Sequence, residues 1–344
     1  MIVFISLFLL LSIFSFFICR KKWIVVLISL LFSLLIGFRD MAVGADTFRY
    51  AETYYSIGNH GYLGYPEPLF GYLNLLCFRL GCSFHFSQWV LSLIMMGLFG
   101  KTIIKCSPNY GYSFFVLFAL FFVFYAMNIF RQLIAISIIF YAYSLLNEKR
   151  ITGFVICVIL ATLCHTLSVL ALAMLWLRRI DLRSPVFVLS CLLISFVIGF
   201  FIFNNSLFIR LMGSYGKYLT VGDNGLRVGQ RVLQAAMLAV YWSVLFVCIY
   251  SLIKKEYRQN LWLKIYFFSI LVTNLTFRAE LGLRVVLLFS IAQVIVFPIF
   301  ILHNRMEYKF VPIFLINTAM AIFFFIFLLN NSATVLPYKN MLFQ

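Results

Sequence analysis

The residues best suited to chemistry in this sequence are arginines that stand between long apolar runs. Seven of them are candidates for binding an anion: Arg39, Arg49, Arg131, Arg227, Arg231, Arg278 and Arg284. Arginine presents a planar fork of donors that binds phosphate bidentately, and it stays charged when it is partly desolvated. This set therefore predicts a ligand that carries phosphate groups.

Arg131 lies in the segment NIFRQLIAIS, between two apolar runs and close to Asn128 and Gln132. An arginine at or below a membrane surface is costly, so its presence is by default a functional hypothesis. The alternative is a side chain that snorkels to the lipid headgroups.

Four more of the candidates stand in two further groups. Arg227 and Arg231 are four residues apart at a predicted helix start, so they share one face. The positive helix N-terminus adds to them and suits a pair of phosphates, although contact with headgroups fits equally well. Arg278 and Arg284 flank Glu280, and two cations against one acid favour anion binding over a purely structural ion pair.

His165 stands at a predicted helix break in the segment ATLCHTLSVLA. A site residue and a packing residue that bonds the broken backbone are equally compatible with this position. The sequence contains no HExxH, Walker loop or metal-spaced Cys/His cluster, so neither a metal nor another cofactor is expected.

The composition identifies the elements that must position these residues. Of 344 residues, 64% are hydrophobic and 11% are charged, whereas a soluble domain is nearer half apolar and a quarter charged. The chain is therefore predicted to be an integral membrane protein. The formal charge of +17 is scattered at the ends of apolar runs, which argues against a nucleic-acid partner.

Apolar runs of membrane length predict an all-α polytopic fold, a single domain over residues 1–344 with about 11–12 spans. Residues 151–177 are expected to form two short helices with a turn at His165, and residues 67–80 an interfacial or re-entrant helix. The polar stretches 39–66 and 204–230 are expected to be outer loops. The continuous spans are predicted at 2–19, 23–38, 84–104, 112–127, 129–146, 185–203, 231–253, 260–277, 283–302 and 311–330.

The positive-inside rule orients these spans with the Arg20–Lys22 cluster in the cytoplasm. Most lysines then fall on the inner side, as the rule requires, and the candidate arginines fall on the outer side. Arginine on the outer side works against the topological bias, which strengthens the prediction of an anionic ligand there.

The segment FRDMAVGADTFRYAETY resembles a motif near the start of EpsG-like proteins, which include many Wzy-type O-antigen polymerases. That motif is an arginine, Val-Gly-Thr-Asp-Thr and a tyrosine, and it corresponds here to Arg39, Val43–Thr47 and Tyr50, with Ala45 as a departure. Four other segments also resemble the family: PEPLFGYLNLL from Pro66, NIFRQLIAIS around Arg131, His165 followed by Ser168, and the ending LPYKNMLF.

This resemblance implies a multi-pass, GT-C-like glycosyltransferase of the bacterial inner membrane with a periplasmic active site. It would move a growing glycan from undecaprenyl diphosphate to the non-reducing end of a lipid-linked repeat unit. The arginines and Tyr50 would bind the diphosphate, and the charge that develops on the leaving group would be stabilised by preorganised cations. Membrane lipid and a separate chain-length regulator protein are the other implied partners.

The acceptor hydroxyl in such a reaction calls for a general base, and Asp46, Glu67, His165 and Glu280 are the candidates. Asp46 and His165 are favoured among them. For Asp46 the alternative is a loop carboxylate that pins Arg39 or Arg49 or caps the turn.

Three other activities compete with polymerisation. A lipid-linked oligosaccharide flippase would also hold cations, but in a central cavity open to both leaflets. An O-antigen ligase would share the donor and use a lipid A-core acceptor. An acyltransferase would need a membrane-embedded His/Arg arrangement that faces the cytoplasm, which the predicted topology does not provide.

Overall fold

The computed structural model describes residues 1–17, 20–61, 67–202, 225–279, 282–306, 310–331 and 334–342. Within these ranges the chain forms sixteen α-helices, two short 3-10 helices and no strand. The protein is an all-α polytopic membrane protein, as its composition predicts.

The helices follow one another along the chain with short connections. The first eight are α1 (Ile2–Ser15), α2 (Lys22–Gly37), α3 (Thr47–His60), α4 (Pro68–Arg79), α5 (Phe84–Cys106), α6 (Tyr110–Ala119), α7 (Phe122–Asn128) and α8 (Phe130–Asn147). The others are α9 (Ile151–Cys164), α10 (Met174–Leu177), α11 (Pro185–Ile202), α12 (Gly225–Leu252), α13 (Leu261–Thr276), α14 (Gly282–Ser290), α15 (Gln293–His303) and α16 (Phe310–Leu329).

Three helices in the described ranges are long and apolar enough to cross a membrane: α5, α8 and residues Leu233–Leu252 of α12. The number rises to five if two bent pairs each count as one span, and shorter apolar helices accompany them. The bent pairs correct the expectation of continuous spans at 112–127 and 283–302: α6 and α7 meet at 48°, and α14 and α15 at 45°. In the first pair, Phe121 takes a left-handed φ of 68°, which interrupts the helix.

The predicted break at His165 is confirmed. Helix α9 ends at Cys164, His165 is extended (φ −159°, ψ 117°), and a 3-10 helix covers Thr166–Ala173. The short helix expected at 67–80 is also present as α4. Helix α3, by contrast, was not expected within 39–66, and most of 204–230 lies outside the described residues.

The chain divides into two compact units. The first contains residues 1–169, 297–302 and 307–344, and the second contains residues 170–296 and 303–306. The expectation of a single domain over the whole chain stays a prediction.

Within the first unit, α2 packs closely against α5. A Cβ on Gly37 would lie 2.3 Å from the Trp89 Cα, so only glycine permits this approach. Phenylalanine rings stack elsewhere in the unit, Phe121 on Phe327 at 3.8 Å and Phe8 on Phe324 at 4.4 Å.

In the second unit, α11, α12 and α13 pack around Asn274. Its amide nitrogen donates to the Leu192 carbonyl and the Ser195 hydroxyl, and its oxygen accepts from Ser243. A cavity of about 360 Å³ with an almost wholly apolar lining lies beside this cluster, bordered by Leu189, Phe196, Val244 and neighbouring residues.

The last described segment of the first unit returns to the end of α2, where Asn340 forms an antiparallel bridge with Arg39. The two segments therefore lie on the same side of the membrane. The predicted topology requires this relation, since it places both on the outer side, and the absolute orientation stays a prediction.

Candidate functional site

Glu67 is the centre of the candidate site, and its side chain is only 7% exposed. One carboxylate oxygen accepts a hydrogen bond from Nδ1 of His165 at 2.7 Å. The other accepts from the Arg131 guanidinium. The fold thus brings together three residues from distant parts of the chain, and we call them the triad.

Each triad residue lies at the end of a helix. Glu67 precedes Pro68, the first residue of α4, and its carbonyl accepts from Gly71 at 3.1 Å. Arg131 is the second residue of α8, and His165 directly follows α9. The break in α9 matters because the extended backbone at His165 takes the imidazole off the helix surface towards Glu67.

The contacts of His165 define its tautomer. Because Nδ1 faces a carboxylate, it carries the proton, and the lone pair of the neutral ring then lies on Nε2. In the described part of the chain Nε2 is buried and has no hydrogen-bond partner. An imidazole oriented by a carboxylate through one nitrogen, with a basic second nitrogen, is the arrangement of a general base.

Arg131 is the most accessible member of the triad, with 29% of its side chain exposed. Its guanidinium lies 5.8 Å from the centre of the Tyr50 ring. Burial raises the pKa of the Tyr50 phenol above its usual range, while the charge of Arg131 and a hydrogen bond from it oppose this shift. The Asp46 carboxylate raises the pKa further, so Asp46 also lies near this phenol.

The loop before α3 is held against the end of α7. Gly44 has a φ of 88°, and a Cβ there would lie 2.3 Å from the Met127 carbonyl oxygen. The Ala45 amide donates to Oδ1 of Asn128 at 2.7 Å. The Thr47 hydroxyl donates to the Val43 carbonyl at 2.6 Å. These contacts explain most of the Val43–Thr47 motif as a tight turn that docks beside the start of α8.

Arg39 lies inside the protein, with an exposure of only 1%. Its Nε donates to the Thr47 hydroxyl at 3.0 Å, and another guanidinium nitrogen donates to the Ile36 carbonyl. Burial lowers the pKa of Arg39 to about 10, which leaves it charged at neutral pH. The expected contact between Arg39 and a diphosphate gains no support from this position, since the side chain instead ties α2 to the start of α3.

The chain matches the model of the EpsG family over residues 22–340, nearly its whole length. The protein belongs to the EpsG family. It is a polysaccharide polymerase of the Wzy-like kind, a glycosyltransferase-like membrane protein. No curated protein and no solved structure matches the chain.

Asp46 lacks the contacts that a purely structural loop carboxylate would make in this EpsG family member. It is half-buried, and it forms no ion pair with Arg39 or Arg49 in the described structure. It occupies the N-cap position of α3, but its side chain makes no capping hydrogen bond. The described structure therefore shows neither the pin nor the cap. Arg49 itself is exposed on α3.

The other candidates belong to the second unit and are described within it. Arg278 donates to the Phe200 carbonyl at 2.9 Å, near the C-terminal end of α11, where a cation is favourable. Arg284 is exposed on α14. Glu280 lies outside the described residues, as do the side chains of Arg227 and Arg231, whose backbone forms the expected helix start in α12.

Sequence reasoning named all three triad residues in this family member but not their mutual contact. Ser168 was noted only for its place after His165, and the structure shows its amide donating to the His165 carbonyl at 3.0 Å. The Ser168 hydroxyl is buried without a partner among the described residues. Across the same residues, no group of three or more His, Cys, Asp or Glu side chains could hold a metal ion.

Proposed function

We propose that this EpsG family protein transfers a growing glycan from undecaprenyl diphosphate to a sugar hydroxyl of a second lipid-linked repeat unit. The triad of Glu67, Arg131 and His165 would be its catalytic centre, on the periplasmic side of a bacterial inner membrane. The observation that carries this proposal is the carboxylate of Glu67, which joins a base to a partly exposed arginine. A GT-C-like fold and a separate chain-length regulator belong to the same proposal.

His165 and Glu67 would act on the acceptor. The acceptor hydroxyl gives its proton to Nε2 of His165 while its oxygen forms the new bond to the anomeric carbon. The Glu67 carboxylate holds the Nδ1 proton and stabilises the imidazolium that forms. Because Nε2 is buried in the free protein, the acceptor must displace the side chains around it.

Arg131 would act on the donor. When the bond between the anomeric carbon and the phosphate oxygen breaks, both of its electrons leave with the lipid diphosphate. A guanidinium has five N–H donors in a planar fork, so a contact with Glu67 through one nitrogen leaves the fork suited to phosphate as well. A preorganised cation at this position stabilises the charge of the departing diphosphate.

Asp46 and Tyr50 would border the same centre. Tyr50 contacts Arg131, and Asp46 acts electrostatically on the Tyr50 phenol. A carboxylate without an ion-pair partner among the described residues suits hydrogen bonds to sugar hydroxyls. We therefore assign Asp46 to binding of the acceptor and the general base to His165.

The triad favours a transferase over a flippase. Moving a lipid across a membrane breaks no covalent bond and needs no general base, whereas an oriented imidazole has a direct use in glycosyl transfer. An O-antigen ligase would use the same chemistry with another acceptor, so the acceptor must be tested directly.

The test gives the purified protein a synthetic diphosphate-linked repeat unit and follows the products by size. We expect a ladder of glycans for the wild type and no ladder for His165→Gln. The matched control is His60→Gln, because His60 is exposed at the end of α3 and lies outside the triad. A single transfer to lipid A-core would identify a ligase, and lipid movement without bond formation would identify a flippase.

A further inference from the structure

Residues 334–342, which we call the C-terminal tail, lie against the loop that follows α2. The tail runs antiparallel to the start of this loop, and the contacts involve backbone atoms on both sides. They are the Arg39–Asn340 bridge, Asp40 N to Lys339 O at 3.0 Å, Gly44 N to Thr334 O at 3.0 Å, and Met341 N to Phe38 O at 2.8 Å.

Two tail side chains also cap the end of α2. The Asn340 amide nitrogen donates to the Leu34 carbonyl at 3.4 Å and to the Tyr338 hydroxyl at 2.9 Å. The Tyr338 hydroxyl donates to the Leu35 carbonyl at 2.9 Å. The last carbonyls of a helix lack intrahelical donors, so Tyr338 supplies one to the Leu35 carbonyl, whereas the Leu34 carbonyl accepts from the Phe38 amide as well as from Asn340. Asn340 is only 6% exposed, which makes it the anchor of the tail.

The loop held by the tail leads directly to the triad. Its far side docks on α7 through Gly44 and Asn128, and α3 then begins at Thr47. Tyr50 lies in the first turn of α3, and its ring faces the Arg131 guanidinium. The tail fixes one side of this loop and Asn128 fixes the other, so the position of Tyr50 beside Arg131 depends on both.

We propose that the C-terminal tail is a positioning element of the catalytic centre. It holds the loop 38–46 so that Tyr50 faces Arg131 and Asp46 lies near the Tyr50 phenol, and it contacts no reacting group itself. This inference rests on the proposed function of the triad. It predicts that the tail governs turnover while the helices fold and insert without it.

The direct test is a chain truncated after residue 333, compared with the full chain in the ladder assay. We expect protein that still inserts in the membrane with a lower melting temperature in detergent, and a rate per folded molecule lower by roughly 100-fold, the size expected for a small misplacement of reacting groups. A synthetic peptide of residues 331–344 should restore the rate in a saturable manner. Full activity of the truncated chain, or no restoration by the peptide, would overturn the inference.

A second variant decides the matter if the truncated chain does not accumulate. Asn340→Asp keeps the side-chain size and the acceptor for the Leu342 amide but removes both donors. We expect a rate about tenfold lower after normalisation to the folded fraction, because the buried carboxylate also lowers the melting temperature. The control is Lys339→Ala, because Lys339 is exposed and contacts the loop through its backbone carbonyl. Equal rates for the two variants would contradict a positioning role.

Arg131→Ala separates this inference from the proposed function. That variant should be inactive with or without the peptide. If the Arg131→Ala chain is active, the proposed role of the triad is refuted. If the Arg131→Ala chain is inactive and the truncated chain is fully active, only the role of the tail is refuted.

Discussion

Replacing Glu67 with Gln is the sharpest perturbation of the triad, because it removes the charge and keeps the shape. An amide has one carbonyl oxygen and one NH2 group, whereas the carboxylate accepts from both Arg131 and His165. We expect the carbonyl to face Arg131, which can only donate, and the NH2 group to face Nδ1 of His165. The proton of the neutral ring then moves to Nε2, and the base is lost.

The expected loss of rate follows from the role of each group. General base catalysis contributes about 100-fold to 10,000-fold, and removing the carboxylate that orients a catalytic histidine has cost about 10,000-fold in serine proteases. The cost in stability is smaller. Glu67 is 7% exposed, but Arg131 is 29% exposed and the amide keeps a neutral hydrogen bond to each partner, so we expect about 1–3 kcal/mol.

The assay is the initial rate of glycan extension by purified protein, normalised to the folded fraction measured by thermal unfolding in detergent. Glu148→Gln is the matched control, because Glu148 forms an exposed ion pair with Lys105 away from the triad. If Glu67→Gln extends glycans as fast as this control, the reasoning about the tautomer is refuted. If the residues act as a unit, adding His165→Gln to Glu67→Gln should cost no further activity.

Substitutions at three other positions test separate parts of the site: those at Arg131 and Asp46 by the same rate measurement, and that at Gly44 by the melting temperature. Arg131→Lys should keep the charge but lose the planar fork, and its rate should be roughly tenfold lower than that of the wild type. The rate of Arg131→Ala should be about 1,000-fold lower. A rate for Arg131→Lys equal to that of the wild type would exclude bidentate phosphate binding. Asp46→Asn should stay within about tenfold of the wild type, and a loss as large as that of His165→Gln would transfer the base to Asp46. Gly44→Ala should lower the melting temperature by the equivalent of about 1–3 kcal/mol because of its positive φ and the Met127 carbonyl, while Gly97→Ala, with open space around its Cβ, should be neutral.

Hydropathy predicted the helical fold because apolar length and helix-breaking residues are local properties. It therefore located the break at His165 and the short helix after Glu67. It could not predict the bend at Phe121, since a left-handed φ at an apolar residue leaves the hydropathy of the segment unchanged. Helix α3 was missed for a related reason, because its polar composition is also that of a loop.

The pairing within the triad was not predictable, because it joins residues 64 and 98 positions apart. Each side chain alone is compatible with a packing role, and only the tertiary fold shows that one carboxylate serves two partners. Arg39 is the opposite case, in which the sequence suggested a ligand contact and the structure shows contacts within the protein. Its place in a family motif at a membrane edge favoured a ligand contact, but its side chain turns inwards to hold Thr47 and Ile36.

In the proposed reaction the shared carboxylate would also couple the two substrates. While the acceptor proton stays on the hydroxyl, Glu67 neutralises Arg131 and lowers its attraction for a diphosphate. When His165 takes that proton, the imidazolium draws on the same carboxylate, and Arg131 is left with more of its positive charge for the leaving group. Deprotonation of the acceptor and stabilisation of the departing diphosphate therefore strengthen each other, since both depend on one buried charge. A pair of independent side chains would not provide this coupling. It requires the three helix ends to meet at Glu67.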